Sequence, residues 1–168
     1  MKILYQGSPG AYSHMAALEV YPNAKIIPCK TFDECFSKAI EDEKVRIIIP
    51  ESNRITGNIG VEYLIFKYRL NIYAEHFHPV QHNLLGLPGS KTKDIKHVFS
   101  HAQALSQSSS FIKKNKLIEN VRADTAGSAA YIASNKKRDE AAIASKLSAK
   151  IYNLDILESN IENEKENV

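Results

Sequence analysis

Residues Leu4 to Leu18 read LYQGSPGAYSHMAAL, a short apolar strand pattern followed at once by a helical one. Gly7, Pro9 and Gly10 stand between the two patterns, and residues of these types favour a turn. A helix that begins directly after a strand presents unpaired backbone N–H groups and a partial positive charge in its first turn. This stretch therefore predicts a βα unit whose helix N-terminus can bind an anionic group.

The same alternation continues on both sides of a break in the middle of the chain. Before the break we predict three strand–helix pairs, with strands at 3–5, 24–28 and 45–50 and helices at 11–20, 31–42 and 58–69. After it we predict strands at 96–99, 120–123 and 141–144, helices at 102–114, 126–135 and 146–152, and a last extended piece at 154–161. Alternation of this kind is typical of α/β folds with largely parallel strands.

The break is a long strand-like segment, residues 71–87, without a helical pattern and interrupted by Pro79. Such a segment suits a crossing between two parts of a protein. We therefore expect an α/β fold of two lobes, the first formed by residues 1–75 and 156–168 and the second by residues 76–155. The run from Asn160 to Val168 is acidic and polar, which predicts a surface loop or a frayed tail.

The composition is that of an ordinary globular protein, with 168 residues, 43% of them hydrophobic, and a formal net charge of +3. The basic clusters at 113–116 and 136–138 fall at predicted helix C-termini, where cations suit the dipole, so we expect no nucleic-acid partner.

No apolar run approaches the roughly 20 residues that cross a bilayer, so we expect no membrane segment. Met1-Lys2 leads directly into a strand, so we expect no signal peptide. Because Cys29 and Cys35 are the only cysteines, we predict a reduced, cytoplasmic protein in which Cys35 is a core thiol.

Two later joints have the same character as the first. Ser100-His101-Ala102 and Asp124-Thr125-Ala126-Gly127-Ser128 each connect a predicted strand to a predicted helix. Small residues at the three joints can contact a ligand in two ways. Hydroxyl donors are supplied by Ser13, Ser100, Thr125 and Ser128. A close approach of the ligand to the backbone is permitted by Gly10 and Gly127. Neither a Walker phosphate loop nor a dinucleotide glycine pattern is present, so a small ligand with more than one carboxylate is the better fit. The alternative is that these residues are ordinary helix caps.

The histidines give two further candidate sites. His14 and His101 stand at joints, where each is either an acid, a base or an anion donor, or a helix-start residue bound to the backbone. His76, His78 and His82 would share one face of an extended strand, as spaced metal ligands do. No carboxylate or thiolate completes that set nearby, so we expect no metal and prefer a strand face with imidazoles against solvent or the lobe interface.

Several separated motifs together resemble those of the prephenate dehydratase family. They are, in the family's order, Tyr5-Gln6-Gly7 with Gly10-Ala11-Tyr12-Ser13-His14, His82-Asn83-Leu84, Ser100-His101-Ala102-Gln103-Ala104-Leu105, Asp124-Thr125-Ala126-Gly127-Ser128-Ala129, and Ala141-Ala142-Ile143-Ala144-Ser145. The resemblance covers essentially the whole chain. A set of ordered motifs is far more specific than any single one of them.

The resemblance implies a carbon–oxygen lyase that needs no cofactor and converts prephenate to phenylpyruvate in phenylalanine biosynthesis. It also implies two α/β lobes resembling periplasmic solute-binding proteins, with the active site in the inter-lobe cleft. By position, the residues expected to bind prephenate are Ala11, Tyr12, Ser13, Asn53, Ser100, Gln103, Ala104, Thr125, Ala126, Gly127 and Ser128. A homodimer is one possible assembly of the protein.

The chain departs from the family pattern at three places. Ala102 replaces a proline, and the family's Glu-Asn-Ser motif aligns either through Asn53 or through Glu51 and Ser52, of which we prefer Asn53. The family's Thr-Arg-Phe, which contains the expected proton donor, would follow Val168. We therefore assign no catalytic residue, expect the 168-residue chain to bind prephenate but to turn it over slowly, and expect no C-terminal ACT regulatory domain. The alternatives are a two-lobed binding module for a small dicarboxylate and an arogenate dehydratase.

Overall fold

The computed structural model describes residues 1–168, and the chain forms two compact α/β units, as predicted. The first unit comprises Met1–Ser8, Tyr12–Pro79 and Glu166–Val168, and the second comprises Pro9–Ala11 and Val80–Lys165. The predicted boundaries were therefore wrong in detail. The return to the first unit occurs at Glu166 rather than at residue 156, because the last strand pairs within the second unit.

The first unit is built on a three-stranded parallel sheet. Its strands are β1 (Lys2–Gln6), β2 (Lys25–Cys29) and β3 (Val45–Ile48), in the order β2-β1-β3. Its helices are α1 (Tyr12–Val20), α2 (Phe32–Ala39) and α3 (Glu62–Tyr68), and the two-residue strands β4 (Ser52–Asn53) and β5 (Gly57–Asn58) form a small antiparallel pair. Leu4, Cys29, Cys35 and Val45 form the buried cluster, which confirms that Cys35 is a core thiol.

Two details of this unit follow from local chemistry. The Thr31 hydroxyl accepts a hydrogen bond from the Glu34 amide at 3.1 Å, so Thr31 is the N-cap of α2. Helix α3 begins at Glu62, four residues later than predicted, because Gly57 and Gly60 have φ values of 77° and 79°. Such left-handed residues cannot continue a right-handed helix.

The second unit is built on a five-stranded mixed sheet. Its strands are β6 (Asn83–Gly86), β7 (His97–Ser100), β8 (Ile118–Val121), β9 (Glu140–Ala144) and β10 (Asp155–Glu158), in the order β10-β6-β9-β7-β8. Its helices are α4 (Ala102–Gln107), α5 (Ser109–Lys114), α6 (Thr125–Asn135) and α7 (Lys146–Tyr152), with a 3₁₀ turn at Thr92–Asp94. Strands β9, β7 and β8 run parallel, whereas β6 is antiparallel to both of its neighbours. The prediction of largely parallel strands is therefore confirmed, and β6 is the strand of this sheet that runs against the others.

The predicted crossing segment is less regular than expected. Only Asn83–Gly86 forms a strand, and residues 71–82 have no helix or strand. The predicted single helix at 102–114 is divided at Ser108 into α4 and α5. No helix in the structure is long and apolar enough to cross a membrane.

The run from Asn160 to Val168, predicted as a surface loop or a frayed tail, is a loop held by two buried residues. Ile161 and Asn167 are only 7% and 1% exposed. Asn163 accepts a hydrogen bond from the Ser110 amide at 3.1 Å, and its backbone N–H donates to the Gln107 carbonyl at 2.6 Å. The polar side chains of the tail therefore pair with the body of each unit rather than with solvent alone.

Candidate active site

Three helices of the second unit begin at the same edge of its sheet. Strands β9, β7 and β8 are parallel neighbours, and α7, α4 and α6 start directly after them. The Arg122 amide donates to the Ser100 carbonyl at 2.8 Å and so links the joint after β8 to the joint after β7. Ligands of open α/β sheets bind at the carboxyl ends of the strands, so this edge is the candidate site of the second unit.

Helix α6 is capped by its own chain. Asp124 is the N-cap, and its carboxylate accepts a hydrogen bond from the Gly127 amide at 2.5 Å. A Cβ added at Gly127 would lie 2.7 Å from that carboxylate, so the glycine makes room for Asp124. A contact between Gly127 and substrate stays a prediction. Ser128 is fully buried, and its hydroxyl donates to the Asp124 carbonyl at 2.8 Å, so it too serves the cap.

A cavity lies beside the N-terminus of α6, and it is lined in part by Arg122, which no sequence motif singled out. Val121, Arg122, Ala123, Asp124 and Gly127 line a cavity of about 230 Å³. The exposed Arg122 guanidinium lies over the Tyr131 ring, 4.1 Å from its centroid, which restricts where the guanidinium can point. Thr125 is half-buried, and Ala126 is fully buried behind it. A lone arginine two residues before a capping aspartate was the only available sequence signal.

The joint between β7 and α4 is also closed by internal hydrogen bonds. Ser100 is fully buried, and its hydroxyl donates to the Ile143 carbonyl at 2.6 Å across the sheet. The predicted ligand donor is therefore a sheet hydrogen-bond donor. His101 is the N-cap of α4, and its Nδ1 accepts from the Gln103 amide at 3.3 Å, which matches the capping alternative. Gln103 is half-buried and Ala104 is buried.

The opening joint is divided between the two units. Ala11 belongs to the second unit with Gly10, whose carbonyl accepts hydrogen bonds from the hydroxyls of Ser145 at 2.5 Å and Ser148 at 3.0 Å. Gly10 has a φ of 98°, and a Cβ there would lie 2.9 Å from the Ser148 Cα. The glycine is needed for packing against α7, so the expectation that it admits a ligand is corrected.

In the first unit, Tyr12 and Ser13 are half-buried at the start of α1. The His14 ring stacks on the Tyr5 ring with centroids 4.9 Å apart, and burial lowers the pKa of His14. A neutral imidazole stacked on a phenol ring is therefore the resting form of His14 near neutral pH.

Asn53 holds the last residues of the chain. Its Nδ2 donates to Asn167 Oδ1 at 2.8 Å and to the Val168 carbonyl at 3.1 Å. Its Oδ1 accepts from the amides of Ile55 and Thr56 at 3.1 and 3.3 Å. Asn53 therefore positions the 166–168 segment, and a direct contact of its side chain with substrate stays a prediction.

The three spaced histidines do not share a strand face. His76 and His78 both contact the carboxylate of Glu19 on α1, whereas His82 lies in the second unit with its Nε2 2.8 Å from Gln107 Oε1. The statement that no carboxylate completes the set was wrong, because Glu19 is distant only in sequence. Partial burial alone would raise the pKa of Glu19, but hydrogen bonds from His78 and His76 lower it overall.

Comparison with known protein families identifies the family of this chain. Residues 3–168 match the family described as prephenate dehydratase. The chain belongs to the prephenate dehydratase family. It is 43% identical over 171 residues to a protein named arogenate dehydratase/prephenate dehydratase 1, chloroplastic, from Arabidopsis thaliana, and 39% identical over 170 residues to arogenate dehydratase 2 from Petunia hybrida. Each alignment covers 100% of this chain but 43% of the relative, so the chain spans less than half of their length.

Solved structures of prephenate dehydratases share this fold. The enzyme from Arthrobacter aurescens, solved in complex with L-Phe, superposes with a TM-score of 0.89 at 21% identity, covering 99% of this chain and 57% of that one. The enzyme from Staphylococcus aureus gives a TM-score of 0.78 at 23% identity, covering 98% and 62%. A structure described as GqqA, a novel type of quorum quenching acylases, gives 0.89 at 33% identity, covering 97% and 60%. The predicted fold class, two α/β lobes like those of periplasmic solute-binding proteins, is confirmed.

Proposed function

We propose that this protein is a dehydratase that converts prephenate to phenylpyruvate with loss of water and carbon dioxide, as a step in making phenylalanine. The family match over residues 3–168 supports the reaction class. Arogenate is the alternative substrate, because the names of the relatives include arogenate dehydratases and arogenate differs from prephenate by an amine in place of a ketone. The product from arogenate would be phenylalanine itself.

The reaction makes three demands on a protein. The ring carboxylate leaves as carbon dioxide, its bonding electrons complete the aromatic ring, and the ring hydroxyl leaves as water after accepting one proton. Prephenate dianion and one proton thus give phenylpyruvate anion, water and carbon dioxide. Aromatisation supplies much of the driving force, so we propose that no cofactor takes part. The protein must hold the two carboxylates, present a proton to the hydroxyl, and let the departing carboxylate lose its solvation.

The observation that carries the proposal is the arginine beside the α6 N-terminus. Arg122 lines the cavity at the start of α6 and is oriented by the Tyr131 ring. A guanidinium binds a carboxylate through two parallel hydrogen bonds. The first-turn amides of Thr125 and Ala126 point out of the helix and have no acceptor within it. We propose that Arg122 and the amide of the half-buried Thr125 bind one substrate carboxylate, while Asp124 keeps the Gly127 amide occupied.

The remaining predicted binding residues stay part of the proposal. Tyr12, Ser13 and Gln103 are half-buried polar residues at the starts of α1 and α4. Each has a donor that suits the second carboxylate or the ring hydroxyl. Ser100, Ser128 and Asn53 act by holding the backbone, as their hydrogen bonds within the chain indicate.

We also propose a cytoplasmic location and a homodimeric assembly. Both cysteines, Cys29 and Cys35, are free and buried, as is usual in a reducing compartment. Fractionation of cells that express the protein tests the location, and sedimentation equilibrium tests the assembly.

The experiment that tests the function is a turnover assay with separate prephenate and arogenate samples at neutral pH, against a blank without protein. We expect phenylpyruvate or phenylalanine to form faster than in the blank. Arg122→Gln should raise KM by about tenfold to a hundredfold, because it removes hydrogen bonds to a charged group. Arg138→Gln is the matched control, since Arg138 donates to the Pro88 carbonyl and lies outside the cavity.

A second candidate activity comes from one structural likeness. The structure described as a quorum quenching acylase is 33% identical to this chain. The same preparation is therefore assayed for hydrolysis of an N-acylated amine. Acyl cleavage without dehydration of either cyclohexadiene would favour the acylase over the proposed dehydratase.

A further inference from the structure

A second cluster of reactive side chains lies in the first unit. His76 Nε2 and His78 Nδ1 lie 3.1 and 2.8 Å from the same oxygen, Oε2 of Glu19. One ligand atom from each of the three residues lies within 4.8 Å of the other two. Two imidazole nitrogens thus contact the same carboxylate oxygen.

The three residues reach this point from two separate elements. Glu19 lies in the last turn of α1, whereas His76 and His78 lie in the irregular segment 71–82 that follows α3. In an extended chain, residues two apart point to the same side, and this spacing brings both imidazoles to Glu19. The His78 side chain is only 9% exposed, and its ring packs against the Tyr12 ring at 6.4 Å. One ligand is therefore fixed by packing.

The chemistry of the set is that of a metal site. Two histidines and one glutamate form a known ligand set for Zn²⁺, with water in the fourth position. With metal–ligand bonds of about 2.1 Å, tetrahedral ligand atoms lie about 3.4 Å apart. The two separations of 3.1 and 2.8 Å need to grow by only a few tenths of an ångström. Glu19 and His76, with 47% and 35% of their side chains exposed, have room to make that adjustment.

We propose that Glu19, His76 and His78 bind one divalent cation of the Zn²⁺ class. The imidazole and carboxylate donors favour Zn²⁺, Co²⁺ or Ni²⁺ over Mg²⁺ and Ca²⁺, which prefer oxygen ligands. The cation replaces the hydrogen bonds that join Glu19 to His76 and His78. It ties the 71–82 segment to α1, and so fixes the helix that begins with Tyr12 and Ser13. None of the three ligand residues is among the proposed dehydratase residues, although His78 contacts Tyr12.

The experiment measures Zn²⁺ binding to tag-free protein that has been treated with chelator, by calorimetry and by equilibrium dialysis. We expect one equivalent to bind. Glu19→Gln removes the anionic ligand, His76→Asn removes one imidazole, and each should weaken binding by at least about tenfold. Glu75→Gln, an exposed carboxylate beside His76 and outside the cluster, is the matched control and should bind as the parent does. His78 is left intact because its ring is largely buried.

Two further readouts locate the cation. Co²⁺ added in place of Zn²⁺ should give a visible absorption band in the parent that is lost in Glu19→Gln. Zn²⁺ should raise the melting temperature of the parent and of Glu75→Gln, but not of Glu19→Gln or His76→Asn. Circular dichroism confirms that each variant is folded. Absence of stoichiometric binding, or unchanged affinity in folded Glu19→Gln and His76→Asn, would overturn the proposal whatever the dehydratase assay gives.

Discussion

The Nδ2 amide of Asn53 donates to Oδ1 of Asn167 at 2.8 Å, joining two residues that are 114 positions apart. The same Asn53 side chain also accepts from the Ile55 amide, so one residue fixes both a tight turn and the 166–168 segment. Asn167 is 1% exposed, so these bonds are shielded from water. The hydrogen bonds of Asn53 therefore position the end of the described chain against the first unit.

Asn53→Ala should lower the free energy of unfolding by about 1–3 kcal/mol, because it leaves buried polar groups unpaired. Asn53→Asp should be worse at neutral pH, since a carboxylate then faces the carbonyl oxygens of Asn167 and Val168. Denaturant titrations measure both values. Amide exchange at Arg54, whose N–H donates to the Val168 carbonyl at 2.8 Å, should become faster in both variants. Unchanged exchange at Arg54 would show that the segment is held by other contacts.

Thr125→Val should weaken prephenate binding by about 1–3 kcal/mol if its hydroxyl donates to a charged carboxylate. Valine keeps the shape of threonine, so the change removes only the donor. Ser134→Ala in the last turn of the same helix is the control, because the Ser134 hydroxyl donates to the Tyr131 carbonyl far from the helix start. Calorimetry gives both affinities. Equal affinity in the parent and in Thr125→Val would remove Thr125 from the proposed site.

The stability of the second unit should fall in mild acid because of His82. Burial lowers the pKa of His82 below its ordinary value, although a hydrogen bond with Gln107 acts in the opposite direction. The unfolded chain therefore binds a proton at His82 at a higher pH than the folded chain does. The contribution of His82 is fully present above about pH 6.5 and is lost as the pH falls from there towards the folded pKa.

Unfolding measured between about pH 7.5 and about pH 5.5 tests this linkage. The parent should lose stability over that range, and His82→Gln should lose less of it although it starts from a lower value. Both proteins contain the same remaining histidines, so the difference between the two curves isolates His82. Parallel curves would assign the acid sensitivity to other groups.

Gly10→Ala should be strongly destabilising. Its φ of 98° strains any residue with a side chain, and the new Cβ would lie 2.9 Å from the Ser148 Cα. We expect a loss of at least about 1–3 kcal/mol from the backbone conformation alone. The double variant Gly10→Ala/Ser148→Ala removes the hydroxyl but keeps the strained φ and the close backbone, so it should recover only part of the stability. Full recovery in thermal unfolding would contradict a role for the backbone.

The sequence patterns predicted the elements that depend on neighbouring residues. Helix α7 was predicted with its observed bounds, and the Thr31 cap follows from one hydroxyl and the amide three residues later. The antiparallel pairing of β6 was not predictable, because Asn83–Gly86 is buried along its whole length, a pattern that is typical of strands in parallel sheets. Pairing partners are set by the whole sheet rather than by the strand itself.

The motifs predicted where strands lead into helices, but not which contacts the residues at these joints make. The three strand-to-helix joints occur where the motifs predict them. However, Ser100, Ser128 and Gly127 all form hydrogen bonds to other residues of the chain. Hydroxyl groups and glycines at helix starts have the same local pattern whether they contact a ligand or cap a helix. The Glu19 contact with His76 spans 57 positions, so no reading of nearby residues predicts it.

The decisive measurement for the proposed dehydratase is product formation from prephenate by the protein produced from its complete natural reading frame. We expect phenylpyruvate, carbon dioxide and water in equal amounts, at a rate above the blank, with KM raised in Arg122→Gln and unchanged in Arg138→Gln. Arogenate is tested in parallel, and phenylalanine from arogenate alone would assign the same chemistry to the other substrate. If the folded parent protein formed no product from either substrate, this result would contradict the proposed dehydratase.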